Sequence, residues 1–209
     1  MDIPMYRDEK KEYQFEMIQK RIIENGGLFR AADAEALGID YRRLQTFVKE
    51  GRLRKIKSGY YTDDKLISEE KLVTALFPDG VLTMESALFE YGYLSERPQI
   101  WKIAIDKNTS KGRFHLEYPW VTPFYTEPET LKDGVEEIEI AGNKIGIYQK
   151  ERLICDVLKY QEKMDRKDFR KAVFSYIDDE SKDVGLLMEY AEKRKVRRKV
   201  HDLIGIWLD

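Results

Sequence analysis

The stretch from residue 40 to residue 62 constrains the fold most, because it predicts a short amphipathic helix followed at once by a hairpin. Asp40 is placed to cap a helix over residues 41–50, since a short acidic side chain accepts hydrogen bonds from a first helical turn. Gly51 ends that helix, because glycine adopts the left-handed conformation at little cost. The inward side of the predicted helix holds Leu44, Phe47 and Val48.

Two short strands follow, one around Leu53 and Ile56 and the other around Tyr60 and Tyr61, with a turn at residues 57–59. Before them, residues 8–24 carry apolar side chains at helical spacing, and Asn25 and two glycines end that helix. An alanine-rich second helix is predicted over residues 30–37. The order of three helices and a hairpin predicts a winged helix-turn-helix domain over residues 1–66.

Charge is concentrated in the same stretch. The whole chain has a formal net charge of −2, whereas residues 40–62 contain seven Lys or Arg against two acids. A basic patch on a nearly neutral protein is the expected electrostatic signature of duplex DNA binding. Two other interpretations stay open: these charges merely solvate an exposed helix and hairpin, or the winged domain contacts a protein.

We assign two roles within the predicted DNA-binding surface. Arg42, Gln45 and Thr46 are expected to face base edges, and the remaining basic residues to hold phosphates. The complete set of predicted DNA-binding residues is Tyr41, Arg42, Arg43, Gln45, Thr46, Lys49, Arg52, Arg54, Lys55, Lys57 and Tyr60.

Residues 67–209 are predicted to form a second, mixed domain, so that the fold class is α+β. Helices are expected over 68–76, 83–91, 150–161, 166–177, 184–193 and 196–207. A small antiparallel sheet is expected from strands at 101–105 and 120–125 and a hairpin of 136–140 with 144–148. Pro123 marks the second of these strands as an edge or irregular strand, because proline cannot donate to a ladder. The dense aromatic residues of this half are expected to form core: Tyr91, Tyr93, Trp101, Phe114, Tyr118, Trp120, Phe124 and Tyr125.

Catalytic constellations are weak, and we predict that the chain is not an enzyme and needs no metal or cofactor. The two histidines, His115 and His201, stand in unrelated contexts, and the single cysteine, Cys155, is expected to be a small buried apolar side chain. A metal-dependent nuclease needs Glu-x-Lys on a strand, but the Glu-x-Lys sequences at 9–11 and 69–71 fall on predicted helices. No secretion signal and no membrane-spanning apolar stretch is visible, and we expect a cytoplasmic protein.

The sequence GIDYRRLQTFVKEGRLRKIKSGYY, preceded by the two helices, resembles the N-terminal winged domain of AbiEi-type antitoxins from type IV toxin–antitoxin and abortive-infection systems. The pattern that closes the domain in that family is matched at Leu44, Gly51, Leu53, Arg54, Gly59 and Tyr60. Two later helices are similar to helices of the same family, one at Ser86, Ala87, Leu88 and Gly92 and the other at Arg152, Leu153, Asp156 and Leu158.

The resemblance implies a repressor that binds its own promoter and counteracts a nucleotidyltransferase toxin, without a stable complex being required. The alternative is a stand-alone regulator whose second domain senses a ligand or oligomerises. A basic run near the C-terminus is a candidate second contact with flanking DNA or with an acidic toxin surface, or else a solvated helix face. It consists of Lys193, Arg194, Lys195, Arg197, Arg198 and Lys199.

Overall fold

The computed structural model describes residues 7–205, with the side chain of residue 7 left out. Their contacts form two compact units. The first unit contains the chain up to Pro78 together with Glu139–Lys144, and the second contains Asp79–Ile138 and the chain from Ile145 onward. The boundary expected at residue 66 falls before a helix that these contacts group with the first unit.

The first unit is built from three α-helices, two short 3₁₀ turns and a three-stranded antiparallel sheet of order β1-β3-β2. Its elements in chain order are α1 (Arg7–Glu24), β1 (Phe29–Arg30), the 3₁₀ turns Ala31–Asp33 and Glu35–Leu37, α2 (Tyr41–Lys49), β2 (Arg54–Lys57), β3 (Tyr60–Thr62) and α3 (Glu69–Leu76).

The core of this unit forms because each element contributes one apolar face. Helix α1 buries Phe15, Ile18 and Ile22, which recur at helical spacing. These side chains meet Leu44 and Phe47 of α2, and the rings of Phe15 and Phe47 lie 5.2 Å apart between centroids. The predicted helices 8–24 and 41–50 and the predicted hairpin are therefore confirmed.

The predicted α-helix over residues 30–37 was wrong. Arg30 belongs to strand β1, where it pairs with Tyr60 of β3, and the chain then makes two 3₁₀ turns. Only seven residues remain between β1 and Gly38, whose left-handed backbone (φ 62°) ends the second turn. A 3₁₀ turn reaches this end point in fewer residues than an α-helix, because it rises further per residue.

Within the described residues, the second unit contains six α-helices, two 3₁₀ turns and a five-stranded sheet to which the hairpin β7–β8 contributes. Its helices and the sheet strands in chain order are β4 (Val81–Leu82), α4 (Met84–Glu90), β5 (Trp101–Asp106), β6 (Val121–Thr126), α5 (Pro128–Lys132), β7 (Val135–Ile140), β8 (Asn143–Tyr148), α6 (Lys150–Lys159), α7 (Arg166–Asp178), α8 (Val184–Lys193) and α9 (Arg197–Leu203). The predicted helices of this half are all present. The last one, expected over 196–207, is α9, which ends at Leu203, and residues 206 and 207 lie outside the described residues.

The α+β fold class is confirmed, and the sheet of this unit has the order β6-β5-β4-β8-β7. It contains two parallel pairs as well as antiparallel ones, whereas the sequence suggested antiparallel pairing. Strand β4 pairs parallel with β8, and β5 pairs parallel with β6. The parallel pairing was not predicted because β4, which lies between β5 and β8, is only two residues long and therefore shows no strand periodicity in the sequence. Parallel neighbours of this kind need long crossovers that local patterns do not reveal.

Pro123 lies in β6, which is an edge strand as predicted. The backbone N–H of Trp101 donates to the carbonyl of Trp120 (2.8 Å), and that of Lys107 donates to the carbonyl of Thr126 (2.9 Å). In this parallel ladder the even-numbered residues of β6 therefore bond to β5 and the odd-numbered ones face outward. Proline thus removes one donor from the free edge.

The aromatic residues predicted as core range from buried to exposed, with Tyr91, Phe114 and Phe124 half-buried. Tyr93 and Trp101 are buried, whereas Tyr118 and Trp120 are each 56% exposed. The two exposed rings precede the edge strand β6, where no further strand covers them in the described sheet. The core prediction was therefore wrong for Tyr118, Trp120 and the partly exposed Tyr125.

Candidate DNA-binding surface

Helix α2 is fixed at its start by hydrogen bonds that the sequence suggested. The Asp40 carboxylate accepts a hydrogen bond from the backbone N–H of Arg43 (2.7 Å), which confirms the predicted cap. The turn before it is held by Gln14, whose Nε2 donates to the carbonyl of Gly38 (3.0 Å). Because Leu44 and Phe47 are buried, the opposite face of α2 points away from the core.

The outward face of α2 combines free and engaged side chains. Tyr41, Arg42 and Lys49 are exposed. The Thr46 hydroxyl donates to the carbonyl of Arg42 (2.9 Å), one turn earlier. Burial raises the pKa of the Tyr61 hydroxyl, and a hydrogen bond with Gln45 partly offsets that rise. Of the three residues expected to read bases, Arg42 alone has no hydrogen bond from its side chain to residues 7–205.

The hairpin β2–β3 forms the wing. Its register is irregular between Lys55 and Lys57, which pair with consecutive residues of β3. The turn is tied to the rest of the unit, since the carbonyl of Gly59 accepts a hydrogen bond from the backbone N–H of Ala31 (2.8 Å). Arg54 and Lys55 are exposed on this hairpin, and the Lys57 ammonium lies 5.0 Å from the ring centre of Tyr60.

Arg52 lies at the junction of α2 and the wing but does not offer a free charge. Its Nη1 and Nη2 donate to the two carboxylate oxygens of Glu12 at 2.7 and 2.8 Å. Its guanidinium also lies 3.8 Å from the ring centre of Phe15. Arg52 therefore ties α1 to the end of α2, a role that sequence reasoning missed because Glu12 is forty residues away.

Five basic side chains of α2 and the wing have no counter-charge among the described residues. No carboxylate of residues 7–205 forms an ion pair with Arg42, Arg43, Lys49, Arg54 or Lys55. The two acids of the 40–62 stretch are engaged elsewhere: Asp40 caps α2, and Glu50 pairs with Lys11 of α1. The positive charge of α2 and the wing is consequently not neutralised within the described protein.

The second basic run does not form one helix face. It covers the last residue of α8, a break at Lys195 with a left-handed backbone (φ 59°), and the first turn of α9. Arg194 is buried and its Nε donates to Asp156 Oδ1 (2.6 Å), so it cannot belong to an exposed patch. Four of the others have local partners: Lys193 pairs with Asp133, Arg197 with Glu192, Arg198 with Asp202, and Lys199 donates to the carbonyl of Leu158. Lys195 is exposed.

The groups considered for catalysis are distributed as the sequence suggested. Cys155 is fully buried, which confirms its apolar role, and burial raises the pKa of its thiol to about 12. Both Glu-x-Lys sequences lie on helices, α1 and α3. Within residues 7–205 no three His, Cys, Asp or Glu side chains are grouped so that they would hold a metal ion. None of the helices described is long and apolar enough to cross a membrane.

The arrangement of α1, the 3₁₀ turns, α2 and the β2–β3 hairpin, closed by the short strand β1, defines a winged helix-turn-helix unit. Residues 16–62 match the family described as "Transcriptional regulator, AbiEi antitoxin". This match confirms the resemblance to AbiEi antitoxins, a family of regulators rather than enzymes, for the stretch that contains α2 and the wing. No curated protein matches the chain.

Proposed function

We propose that the first unit binds double-stranded DNA by placing α2 in the major groove and the β2–β3 wing on the phosphate backbone. The observation that carries this proposal is the group of five basic side chains without counter-charges on α2 and the wing. Duplex phosphates supply the missing negative charge, and displaced counterions favour binding at low salt. An α-helix fits the width of the major groove, as in other helix-turn-helix proteins.

Within this docking, Arg42 is the main candidate for base recognition. It is exposed on α2, and its long side chain can form two hydrogen bonds to one guanine. Gln45 and Thr46 contribute only if they give up their contacts with Tyr61 and with the carbonyl of Arg42. Arg43, Lys49, Arg54, Lys55 and Lys57 hold phosphates, with Tyr41 and Tyr60 beside them, whereas Arg52 supports the surface from behind.

We further propose that the chain represses its own operon and acts as the antitoxin of a type IV abortive-infection system, with a nucleotidyltransferase toxin as its functional partner. The family match over residues 16–62 supports this role. Co-expression tests it: the toxin alone should arrest growth, and this chain should restore it, without the two proteins co-purifying. If growth stays arrested when this chain is co-expressed with each nucleotidyltransferase encoded beside it, the antitoxin role is contradicted. The DNA-binding proposal would not be affected by that result.

The DNA-binding proposal is tested by a gel shift on the chain's own upstream DNA and on a scrambled duplex, over a salt series. Tight binding to the upstream fragment that weakens steeply with rising salt is the expected result. Equal and weak binding to both duplexes would overturn it and indicate that the winged unit contacts a protein.

Three variants refine the test. Arg42→Ala should lower affinity for the upstream DNA by about 1–3 kcal/mol and reduce its preference over the scrambled duplex. Lys55→Ala should weaken binding to both duplexes alike. It should also lower the slope of log affinity against log salt concentration by roughly one. Lys20→Ala is the matched control, since Lys20 is an exposed lysine on α1, outside α2 and the wing. The affinity of this variant for both duplexes should be unchanged.

A further inference from the structure

A network of buried charges lies in the second unit and has one positive charge in excess. The two oxygens of Asp156 are shared by two arginines: Arg152 Nε donates to Oδ2 (3.0 Å) and Arg194 Nε donates to Oδ1 (2.6 Å). All three residues are at least nine-tenths buried. Two guanidinium groups against one carboxylate leave a buried positive charge without a counterion, which is costly in a region of low dielectric constant.

The two arginines differ in how completely they are engaged. Arg152 also donates from Nη1 to the carbonyls of Thr130 and Asp133 (3.2 and 2.7 Å), and its guanidinium lies 4.1 Å from the ring centre of Tyr148. Arg194, by contrast, uses only Nε: its two terminal nitrogens make no hydrogen bond to any of residues 7–205. A guanidinium fork with both ends available is the group that binds carboxylates and phosphates in a bidentate manner.

Arg194 also lines an open pocket of about 450 Å³ on the surface of the second unit. Its volume falls within the range of small-molecule sites. Lys193 pairs with Asp133 (3.3 Å), and the other charged residues of the lining are Lys132, Arg194 and Glu129. The residues lining the cavity are Glu129, Thr130, Lys132, Asp133, Lys193 and Arg194.

The position of this cavity is set by the same buried network. Arg152 holds the carbonyls of Thr130 and Asp133, which flank Lys132, and so fixes the wall that faces Arg194. Burial, and then the neighbouring Arg194, lower the pKa of the Lys159 ammonium, as expected where a second positive charge lies close to that of Arg194. An open pocket whose lining has more basic than acidic residues thus includes Arg194, whose terminal nitrogens make no hydrogen bond to residues 7–205.

From these contacts we infer that the cavity between α5 and the end of α8 binds a small oxyanion, a molecule whose carboxylate or phosphate group accepts two hydrogen bonds from Arg194 while Lys132 contributes charge. This inference goes beyond the proposed function, because it gives the second unit a ligand of its own. Such a ligand would neutralise the excess charge of the Arg152–Asp156–Arg194 network.

Isothermal titration of the full-length chain tests the site, with inorganic phosphate and succinate titrated separately at constant ionic strength in sodium chloride. We expect saturable binding of at least one of them, together with a rise in Tm. The anion that binds more tightly identifies whether the natural ligand carries a phosphate or a carboxylate. Absence of saturable binding of both anions would overturn the proposal.

Variants decide whether this cavity is the place of binding. Lys132→Glu changes an exposed side chain at the cavity and should weaken anion binding at least tenfold, whereas Lys111→Glu, the same exposed change on the 3₁₀ turn Lys111–Phe114, should not. Arg194→Lys retains the charge but removes the fork and should weaken binding to a similar extent. Equal loss of binding in the Lys111 and Lys132 variants would show non-specific attraction only and would refute the site.

Discussion

Arg52 donates one hydrogen bond to each carboxylate oxygen of Glu12, at 2.7 and 2.8 Å, while its guanidinium lies 3.8 Å from the ring centre of Phe15. One side chain therefore binds α1 both through charge and through an aromatic face. The pKa of Glu12 is held below its ordinary value, chiefly by the hydrogen bond from Arg52. The residue type that we propose to hold phosphates elsewhere on this unit acts here as an internal link between elements.

Replacing Arg52 by alanine should therefore reduce stability more than DNA binding. The lost packing over Phe15 should lower the free energy of unfolding by about 1 kcal/mol, because stacked arginines contribute through both their stem and the cation–π contact. Urea unfolding followed by circular dichroism measures this change. Arg54→Ala is the control, since Arg54 is exposed and unpaired in the described protein: it should leave stability unchanged and weaken binding to all duplexes. The reverse pattern would contradict the assignment.

Asp156 should be among the most sensitive positions of the second unit. Asp156→Asn keeps the shape of the side chain but leaves Arg152 and Arg194 buried without a carboxylate. Removing one partner from a buried ion pair costs roughly 3–5 kcal/mol. The exposed pair of Arg198 and Asp202, 3.6 Å apart, provides the comparison. Asp202→Asn should change the unfolding midpoint little, and similar losses in both variants would rule out a special role for the buried network.

Cys155 should be inert in the folded protein. Burial raises its thiol pKa to about 12, far above the ordinary value near 8.5, so the thiol stays protonated at pH 8. Reaction with a disulfide reagent at pH 8 should be at least a hundredfold slower in buffer than in 6 M guanidinium chloride. Because thiolate is the reactive form, rapid labelling of the native protein would show that this side chain is accessible, contrary to its burial.

Alanine substitutions at Gly26 and Gly51 distinguish the cost of a left-handed backbone from the cost of a steric clash. Both have left-handed backbones, with φ of 71° and 69°. An alanine at Gly51 would meet no atom within 4 Å, whereas at Gly26 its Cβ would collide with the side-chain amide of Asn143. Gly51→Ala should cost about 1 kcal/mol from the backbone alone. Gly26→Ala should cost clearly more in the same unfolding experiment, and equal costs would mean that Asn143 moves aside freely.

Much of the first unit could be predicted from the sequence because its signals are local. The cap at Asp40 and the buried face of α2 lie within ten residues of each other and follow helix periodicity. Strand β1 could not be predicted, since two residues have no period and their pairing with β3 is a contact between distant segments. The same limit hid the pair of Arg52 and Glu12.

In the second unit the helices and four of the five strands could be predicted. The strand order could not, because β4 is defined only by its neighbours β5 and β8. The basic run near the C-terminus shows a different limit. Arg194 has the same sequence surroundings as its exposed neighbours, and its burial depends on Asp156, thirty-eight residues earlier. A linear count of charge cannot separate a buried arginine from a surface one.

The inclusion of Glu139–Lys144 in the first unit has a practical meaning for anyone who divides this chain. Asn143 Nδ2 donates both to the carbonyl of Gly26 and to the hydroxyl of Thr74, at 2.9 Å each. A fragment cut at residue 66 would lack Asn143 and all of α3, and one extended to residue 78 would still lack the amide. The first unit is thus not formed by one uninterrupted stretch of sequence, so a domain swap between relatives would have to carry residues 139–144 along with the stretch that ends at residue 78.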